Sequence, residues 1–402
     1  MTPKNNFCYA PFMHMYVHSN EGPRVCCMTT EDSNVEDTTE LDLKKRWTSS
    51  HLTEIRQQFL DNEQPSICMK CFALEDAGGT SDRMRFDDAY RADGIIPNLE
   101  TGNQYGSPLD LDIRPGNLCN LACRMCGPVS SSQLQKEIKN NPVMIQLMGE
   151  GNITESNVLK IDENIEFLLE NANKGHRIKF LGGEPTIMPE VDRFLDILIE
   201  RDMLDVPIHF TTNCTNDNKR FIDKISKFTE LSFNYSIDGT GKTVEYIRHP
   251  VKFKAINKNI IVYNKLASYG EISYTLQAYN LFNLHTMIEW SSGIGVYTRP
   301  EILMYPTALS YRTIPKKIRD KRIDILRKLL DTIPLSEGID RTVLKSKVLP
   351  VLDRIYADDE ELDPALLARH TKIIDKARNQ HIKDYIPEVW DFIKEEYNAL
   401  RL

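Results

Sequence analysis

The sequence predicts an α/β fold, because strand-like segments alternate along the chain with helical ones. Six short segments have the apolar or alternating pattern of β-strands: residues 109–114, 178–181, 208–212, 231–237, 272–277 and 302–305. Helical patterns lie between them, as in residues 191–199 and 256–266. This alternation favours parallel strands that are joined by helical crossovers.

Composition and charge exclude several classes of protein. The chain has 402 residues, of which 41% are hydrophobic, so it can bury a large core and is not a disordered chain. Its 50 Lys and Arg against 58 Asp and Glu give a formal net charge of −8, which argues against a non-specific nucleic-acid binder. No apolar run approaches the ~20 residues of a membrane span. The first residues lack the pattern of a secretory signal, so we expect a cytoplasmic protein without a membrane partner.

The cysteines are the most informative residues, and all nine lie within the first 214 positions. In a reducing compartment they are better metal ligands or catalytic thiols than disulfides. Cys119, Cys123 and Cys126 form a C-x3-C-x2-C run in a loop after the first predicted strand of the series. Three cysteines leave one iron of a [4Fe–4S] cluster open to an outside ligand. A zinc site with a distant fourth ligand remains the alternative for this run alone.

A glycine motif follows the second strand of the series, as Gly182-Gly183-Glu184-Pro185. Together with the cysteine run, it resembles the signature of the radical SAM superfamily, and the resemblance covers roughly residues 105–305. It implies a partial (β/α)6 barrel over residues 105–309. One departure is Met125, because the residue before the last cysteine is often aromatic in the family. A turn between strand and helix is the alternative interpretation of the two glycines.

The resemblance also implies the chemistry. Cys119, Cys123 and Cys126 would hold a [4Fe–4S] cluster whose open iron binds S-adenosylmethionine. An electron, supplied by a reducing donor such as flavodoxin or ferredoxin, would cleave the cofactor to a 5′-deoxyadenosyl radical. The residues expected to contact S-adenosylmethionine follow the glycine motif and the strand ends: Gly182, Gly183, Glu184, Pro185, Thr212, Asn213, Ser236, Arg248 and Gln277.

Some of these residues have a more specific expected role. Gly182 and Gly183 would let the backbone approach the methionine part, Glu184 would lie near its ammonium, and Arg248 could pair with its carboxylate. Cys214 could donate a hydrogen atom to a substrate radical. The alternative for Cys214 is a small apolar side chain that packs beneath the strand ends.

Residues 1–95 predict a separate small α+β module. An alternating stretch at 14–18, a turn at 20–23 and the segment up to Cys27 have the pattern of a hairpin. A helical segment at 52–60 carries Ile55 and Phe59 at i, i+4 spacing. Cys68 and Cys71 follow in a C-x2-C pair.

This region resembles the SPASM/twitch auxiliary-cluster module of the same superfamily, although that module normally follows the barrel and here precedes it. The matching residues are Cys8, Pro11, Gly22, Cys26, Cys27, the stretch 47–56, Cys68, Cys71, Glu75, Ser81 and Arg83. The resemblance implies that Cys8, Cys26, Cys68 and Cys71 hold an auxiliary [4Fe–4S] cluster, with Cys27 as the alternate for Cys26. A four-cysteine zinc site is the other interpretation.

Residues 310–402 predict a helical extension. The apolar residues Ile323, Leu326, Leu330 and Ile333 recur at helical spacing, and so do Trp390, Ile393, Tyr397 and Leu400. We expect helix boundaries at Pro334, Pro350, Pro364 and Pro387.

The substrate follows least directly from the residues. Members of the superfamily with auxiliary clusters modify peptides, oxidise protein side chains or dehydrogenate small sugars and cyclitols. We expect an enzyme that abstracts hydrogen from a peptide or protein side chain, with the auxiliary cluster assisting electron transfer. A dehydrogenase of a small polar metabolite and a non-catalytic iron–sulfur or zinc binding module are the alternatives.

Overall fold

The computed structural model describes residues 6–19, 22–29, 42–76, 79–92, 108–148, 158–172 and 177–401. The predicted domain boundaries at residues 95 and 105 lie outside these ranges, as do residues 20 and 21 of the predicted hairpin turn. The chain divides into two compact units. Unit 1 comprises Met1–Gly116, Ser156–Phe210 and Lys224–Glu230, and unit 2 comprises Asn117–Glu155, Thr211–Asp223 and Leu231–Leu402.

Eight strands and seventeen α-helices lie within the described ranges. The strands are β1 (His14–His18), β2 (Gly22–Arg24), β3 (Asp110–Arg114), β4 (Arg177–Phe180), β5 (Ile208–Thr212), β6 (Leu231–Ser236), β7 (Tyr269–Leu276) and β8 (Tyr297–Ile302). The helices before β5 are α1 (Ala10–Met13), α2 (Leu43–Trp47), α3 (Ser50–Leu60), α4 (Met69–Asp76), α5 (Asp82–Ala92), α6 (Ser132–Asn140), α7 (Pro142–Met148), α8 (Ile161–Ala172) and α9 (Pro189–Glu200). The later helices are α10 (Lys219–Ile225), α11 (Gly241–Ile247), α12 (Phe253–Leu266), α13 (Leu284–Gly293), α14 (Lys316–Thr332), α15 (Arg341–Ala357), α16 (Pro364–Arg378) and α17 (Pro387–Ala399).

Unit 1 contains a sheet in the order β2-β1-β3-β4-β5. β2 is antiparallel to β1, which confirms the predicted hairpin, and the other neighbours are parallel. β1 also pairs in parallel with β3, with His14 opposite Asp110 and His18 opposite Arg114. The N-terminal segment therefore extends the sheet of the predicted barrel strands, a pairing that the sequence did not indicate.

The helices of unit 1 form where caps and apolar faces coincide. Helix α3 begins after Ser49, whose side chain accepts a hydrogen bond from the backbone N–H of Leu52, and it buries the predicted Ile55 and Phe59. Helix α9 packs against the sheet, and the ring centres of its Phe194 and of Phe180 in β4 are 5.6 Å apart. Apolar burial on one helical face thus fixes the segment that was predicted over 191–199.

Unit 2 contains the parallel strands β6, β7 and β8, joined by helices α11 to α13. The sixth predicted strand, 302–305, is wrong in position, because the strand is Tyr297–Ile302 and the side chains of Met304 and Tyr305 are exposed. The strand contains Pro300, which a strand pattern normally excludes except at an edge. Among the described residues, β8 pairs only with β7. It therefore has a free edge, where the missing N–H of Pro300 is tolerated.

The C-terminal residues form the helices α14 to α17, as predicted. Ile323, Leu326 and Leu330 are buried on one face of α14. Pro364 and Pro387 stand at the first positions of α16 and α17. The boundary expected at Pro350 is wrong, because this proline lies inside α15. Packing of apolar residues on both sides of it, such as Val348 and Leu352, outweighs the helix-breaking tendency.

These observations confirm the predicted fold class: an α/β fold of the partial (β/α)6 type, with α and β elements before the barrel strands and helices after them. The division into three domains remains a prediction. Within the described ranges, no helix combines the length and the apolar character that crossing a lipid bilayer requires.

Candidate functional site

The loop after β3 carries the three cysteines of the C-x3-C-x2-C run, and backbone hydrogen bonds hold it in unit 2. The N–H of Ala122 donates to the carbonyl of His249 over 2.7 Å, and the N–H of Arg124 donates to the carbonyl of Ile247 over 2.8 Å. The N–H of Leu121 donates to the Sγ of Cys119 over 3.4 Å. The loop is thus fixed by contacts to the end of α11 rather than by regular structure of its own.

Cys123 is the buried member of the three cysteines. Burial raises the pKa of its thiol well above the usual range, Arg248 lowers it, and Cys126 and Cys119 raise it through charge repulsion. Negative charges on the three cysteines therefore disfavour one another. Three thiolates can coexist in this loop only with a cation that offsets their charge.

Arg248 lies beside these cysteines, after the end of α11. Its Nη1 donates to the Sγ of Cys123 over 3.9 Å. Its Nε lies 2.7 Å from Oδ2 of the fully buried Asp238, an ion pair whose alignment does not make a hydrogen bond. Burial lowers the pKa of Arg248, and the Asp238 carboxylate and Cys123 outweigh this, so the net shift is upward. Asp238 follows strand β6 and is not among the residues predicted for the site.

Asn213 follows β5 and contacts the cysteine loop through Asn120. Its Nδ2 donates to Oδ1 of Asn120 over 3.0 Å, and Nδ2 of Asn120 donates to Oγ1 of Thr215 over 2.8 Å. Oδ1 of Asn213 accepts from the N–H and the hydroxyl of Thr215. The predicted site residue Asn213 thus contacts the cysteine loop through Asn120. Asn120 lies between the first two cysteines and was not predicted as a site residue.

Three other predicted residues lie at strand ends. Oγ1 of Thr212 accepts from the N–H of Cys214 over 3.0 Å. Cys214 is fully buried with a φ of 60°, which fits its interpretation as a packed side chain. Ser236 is the last residue of β6, where it lies opposite Ser273 of β7.

Gln277 follows β7, and its side-chain oxygen finds no hydrogen-bond donor among the described residues. Its Nε2 donates to the carbonyl of Thr275 over 3.4 Å, and its backbone N–H donates to Oδ1 of Asn280 over 2.8 Å. Its Oε1 is buried and accepts no hydrogen bond from the described residues. A buried acceptor of this kind costs free energy unless a ligand or water supplies the donor.

In unit 1, Gly182 lies where the backbone passes close to the end of β3. Its φ is +118°, and a Cβ atom there would lie 3.1 Å from the carbonyl oxygen of Gly116 and 3.3 Å from Cβ of Arg114. The N–H of Gly183 donates to the same carbonyl over 3.4 Å. Only glycine fits the conformation and the space at position 182.

Glu184 and Pro185 begin a short turn of 3-10 helix, Pro185–Ile187. The buried Glu184 accepts hydrogen bonds at Oε1 from the N–H of Thr186, over 3.2 Å, and from its hydroxyl, over 2.6 Å. The carboxylate is thus held in one orientation by the turn that it caps.

A second set of cysteines lines a cavity inside unit 1. The walls hold four thiols, Thr29 and Arg83, and are otherwise apolar, with Ala10, Val25, Met28, Phe59 and Phe86. The four thiols belong to Cys8, Cys26, Cys68 and Cys71. Cys27 is exposed and does not line the cavity. Of the two alternates, only Cys26 lines this cavity among the described residues.

Burial makes these thiols poor thiolates in the protein alone. Burial raises the pKa of Cys8, Cys26 and Cys68 well above the usual range, and charge repulsion among the cysteines raises it further. The donor set fits a positively charged, thiophilic group.

The other residues of the SPASM/twitch resemblance surround this cavity. Arg83 donates from Nε to Glu75 over 3.0 Å and from Nη1 to the carbonyl of Phe7 over 2.6 Å, and Ser81 also donates to Glu75. This network joins the segment after Cys71 to the residue before Cys8.

The stretch between the hairpin and the C-x2-C pair makes a similar connection. Arg56 is buried, with Nε donating to the carbonyl of Pro11 over 2.9 Å and Nη1 donating to that of Trp47 over 3.1 Å. Its guanidinium carbon lies 4.4 Å from the centre of the Trp47 ring. The residues that carried the resemblance are therefore brought together in space.

A comparison with protein families matches residues 113–268 to the radical SAM superfamily. This chain carries a radical SAM domain. No curated protein matches the chain. Among solved structures, the chain is similar to SuiB of Streptococcus suis bound to S-adenosylmethionine, with 14% identity, 73% of this chain and 67% of SuiB covered, and a TM-score of 0.41. It is also similar to anSMEcpe with bound AdoMet, with 19% identity, 60% and 68% coverage and a TM-score of 0.42.

The residues of the radical SAM domain fit the cofactors that this superfamily uses, a [4Fe–4S] cluster and S-adenosylmethionine. The cysteine loop offers three thiols, one fewer than a fully ligated cluster needs. The positive φ of Gly182 and its close approach to Gly116 fix the backbone of the glycine motif. Oε1 of Gln277 is a buried acceptor that no described residue satisfies.

Sequence reasoning missed a buried arginine inside the cysteine run of the radical SAM domain. Arg124 is fully buried, and its guanidinium carbon lies 3.5 Å from the centre of the Tyr246 ring. Its Nη2 donates to Oδ1 of Asp375 in α16 over 2.6 Å and to Gln380 over 2.9 Å, and its Nε donates to the carbonyl of Tyr246 over 2.9 Å. The position between two cysteines is the one signal that could have drawn attention to it.

Helix α16 contacts the same loop at two further points. Nη2 of Arg378 donates to the carbonyl of Ala122 over 2.6 Å, and Nε2 of His370 lies 3.3 Å from the carbonyl oxygen of Arg124. Ile373 and Ile374 pack with Ala122 in one apolar cluster. The predicted C-terminal helices thus include one that supports the cysteine loop.

Proposed function

We propose that this chain is a radical SAM enzyme that abstracts hydrogen from a peptide or protein side chain and uses an auxiliary [4Fe–4S] cluster for electron transfer. The observation that carries the proposal is the cavity of unit 1, where Cys8, Cys26, Cys68 and Cys71 line a mainly apolar wall. Four thiols around one apolar cavity favour a redox cofactor that is shielded from water.

The first cluster is proposed for Cys119, Cys123 and Cys126. When bound there, the cluster with S-adenosylmethionine supplies one-electron cleavage of the cofactor. The chain's own residues bind and orient the cofactor. Gly182 and Gly183 are proposed to lie against its methionine part, and Oε1 of Gln277 offers an acceptor. Glu184, Pro185, Thr212, Asn213 and Ser236 complete the proposed set.

Arg248 makes contacts beyond the one that the family resemblance implies. Its guanidinium already lies near Asp238 and Cys123, so a cofactor carboxylate would share it with Asp238. A guanidinium has five N–H donors and can serve several acceptors at once. We therefore keep Arg248 in the proposed set and add Asp238 as the residue that orients it.

Single zinc ions are the alternative to clusters at both sets of thiols. Zinc holds its sulfurs at about 2.3 Å, which places any two of them about 3.8 Å apart in a tetrahedron. A four-iron cluster holds its cysteines farther apart, because each cysteine binds a different iron. The metal content of the isolated protein therefore distinguishes the two kinds of site.

Full ligation by four cysteines defines the proposed role of the auxiliary cluster. With no open iron, a cluster held by these four cysteines would not bind substrate directly and would supply a site for the electron that leaves the substrate radical. A cytoplasmic donor such as flavodoxin or ferredoxin would reduce the first cluster. The peptide or protein substrate rests on the SPASM/twitch resemblance of residues 1–95.

Iron content tests the two-cluster proposal. Protein reconstituted without oxygen should hold about eight irons, and the variant with Cys119, Cys123 and Cys126 all changed to Ala should hold about four. The Cys214→Ala variant is the matched control and should keep about eight. Tightly bound zinc without iron in freshly isolated protein would contradict the proposal.

Cofactor cleavage separates an enzyme from a binding module. With a strong reductant and S-adenosylmethionine, iron-loaded protein should release 5′-deoxyadenosine even without substrate, and the triple variant should release none. Absence of cleavage in fully loaded protein would favour a non-catalytic module. Mass spectrometry of products from candidate peptides, sugars and cyclitols would then identify the substrate class.

A further inference from the structure

The sheet of unit 1 has one apolar and one polar face. Side chains alternate along a strand, so residues two apart share a face. One face carries the fully or almost fully buried Met15, Val17, Leu111, Ile113, Ile178 and Phe180. The other carries His14, Tyr16 and His18 of β1, Asp110, Asp112 and Arg114 of β3, and Arg177 and Lys179 of β4.

The polar face is partly covered by helix α5, whose Tyr90 donates to Oδ2 of Asp110 over 2.9 Å. Parallel strands that serve only as a core are apolar on both sides. Tyr16 and Asp112 lie opposite each other, and both are buried. Burial of polar and charged groups costs free energy unless they find partners. A charged side chain on this face that finds no partner among the described residues therefore indicates a place where a ligand can bind.

Among the described residues, the charged side chains of the polar face are paired except for Arg114. Arg177 donates to both carboxylate oxygens of Asp110, over 3.1 and 3.2 Å, and Lys179 lies 3.2 Å from Oδ2 of Asp112. Arg114 has no carboxylate within ion-pair distance among the described residues. Its Nε is buried without an acceptor, and its guanidinium carbon lies 5.5 Å from the centre of the Tyr16 ring.

The place of Arg114 is as informative as its charge. It is the last residue of β3, at the edge where parallel sheets bind ligands, and the cysteine loop follows it in the chain. Its Cβ is one of the atoms that crowd Gly182. An arginine that pairs with no carboxylate of the described residues thus lies beside the glycine motif.

We propose that Arg114 binds a carboxylate of the substrate and orients the substrate for hydrogen abstraction. A guanidinium recognises a carboxylate with two parallel hydrogen bonds, and Tyr16 would hold the guanidinium in place from one side. The inference rests on the proposed function and adds a substrate class to it: a peptide that presents an acidic side chain or a C-terminal carboxylate.

Binding of defined probes tests this. The probes are the N-acetylated tripeptide Ala-Glu-Ala as its amide, the matching Ala-Gln-Ala amide, the Ala-Gln-Ala peptide with a free C-terminal carboxylate, and glutarate. Isothermal titration into reconstituted protein with S-adenosylmethionine gives each Kd. We expect at least one peptide carboxylate probe to bind about tenfold or more tightly than the Ala-Gln-Ala amide. The Glu peptide and the free C-terminus distinguish the two sources of the carboxylate.

Variants assign the effect to Arg114. The Arg114→Gln variant should lose the preference for the carboxylate probes, and Arg114→Lys should keep part of it. Arg177→Gln, on the same face but paired with Asp110, is the control and should keep it whole. Unchanged preference in Arg114→Gln, or equal or undetectable binding of both peptide carboxylates and the amide by the unmodified chain, would overturn the inference, as would preference for glutarate alone.

The cofactor is the remaining carboxylate that could bind Arg114. If Arg114→Gln weakens S-adenosylmethionine binding by the factor expected for the peptide, Arg114 serves the cofactor and the inference is wrong. Failure of the proposed function is a separate result, because it appears as absence of 5′-deoxyadenosine release by the unmodified chain. Peptide affinities do not depend on that release.

Discussion

Gly182 is a residue at which the backbone leaves little room for a side chain. In the Gly182→Ala variant, the new Cβ would sit 3.1 Å from the Gly116 carbonyl in a backbone conformation that alanine disfavours. We expect the free energy of unfolding, measured by urea denaturation, to fall by about 1–3 kcal/mol. Binding of S-adenosylmethionine should weaken as well, because the motif shifts.

The matched control for this change is Gly127→Ala. A Cβ at position 127 would have its nearest neighbour at 3.9 Å, and its φ of −99° suits any residue. This variant should unfold within about 0.5 kcal/mol of the unmodified chain. Equal stability of the two variants would show that the space beside Gly182 is not restrictive.

Single residues differ in how well the sequence reveals them. The glycine motif and the cysteine run are short and contiguous, so their meaning can be taken from local spacing. Asp238 and Asn120 could not be assigned in this way, because their roles come from partners, Arg248 and Asn213, on other elements. Arg114 could not be singled out from the sequence, because only the structure shows that no carboxylate of the described residues pairs with it.

Helix α16 is the element with the clearest supporting role. The ion pair of Arg124 and Asp375 is buried, and Asp375 also accepts from the hydroxyl of Tyr246 over 2.7 Å and from the N–H of Ile382 over 2.9 Å. Removal of one charge of a buried pair leaves the other uncompensated. The Asp375→Asn variant should therefore lose about 3 kcal/mol of unfolding free energy and retain less iron after gel filtration.

The same substitution at a surface ion pair is the control. Asp353 of α15 lies 2.6 Å from Arg327 of α14, and its side chain is 60% exposed. Asp353→Asn should change the unfolding free energy by less than about 1 kcal/mol and leave iron retention unchanged. If both variants behave alike, α16 does not support the cysteine loop.

Elements were predictable where one pattern dominated. The strands at 208–212 and 231–236 and helix α9 follow alternation or helical spacing, and the structure has them. Strand β8 was misplaced because the apolar run at 302–305 looks more strand-like than a segment with Pro300, Arg299 and Glu301. The proline inside α15 likewise yields to tertiary packing, which local propensity does not include.

At the scale of the whole molecule, the two cysteine sets lie in different units, the loop in unit 2 and the cavity in unit 1. Their functions should therefore be separable. The Cys71→Ala variant should lose about four irons and still cleave S-adenosylmethionine, while product formation fails. Iron analysis, 5′-deoxyadenosine release and product mass spectrometry measure the three effects.

Cys27→Ala is the control for this experiment, because Cys27 is exposed and does not line the cavity. It should keep its irons and its product. A Cys71→Ala variant that loses the second cluster and still forms product at the normal rate would contradict the electron-transfer role. The cluster would then only hold the hairpin and the Cys68 segment together.

Large-scale organisation was the hardest to predict. The α/β class could be predicted because strands and helices alternate in order along the chain. The pairing of β1 with β3 could not, because their residues are far apart in sequence and each strand needs the other to bury its apolar face. Contacts of this kind depend on packing, which a local pattern does not encode.

The distance along the chain between Arg124 and Asp375 has a consequence for biosynthesis. The two residues are separated by 251 positions, so the ribosome makes the cysteine loop long before it makes α16. Until then the arginine lacks this carboxylate partner, and the contacts between the loop and α16 cannot form. The loop can therefore reach its final packing only after residue 378 has been synthesised.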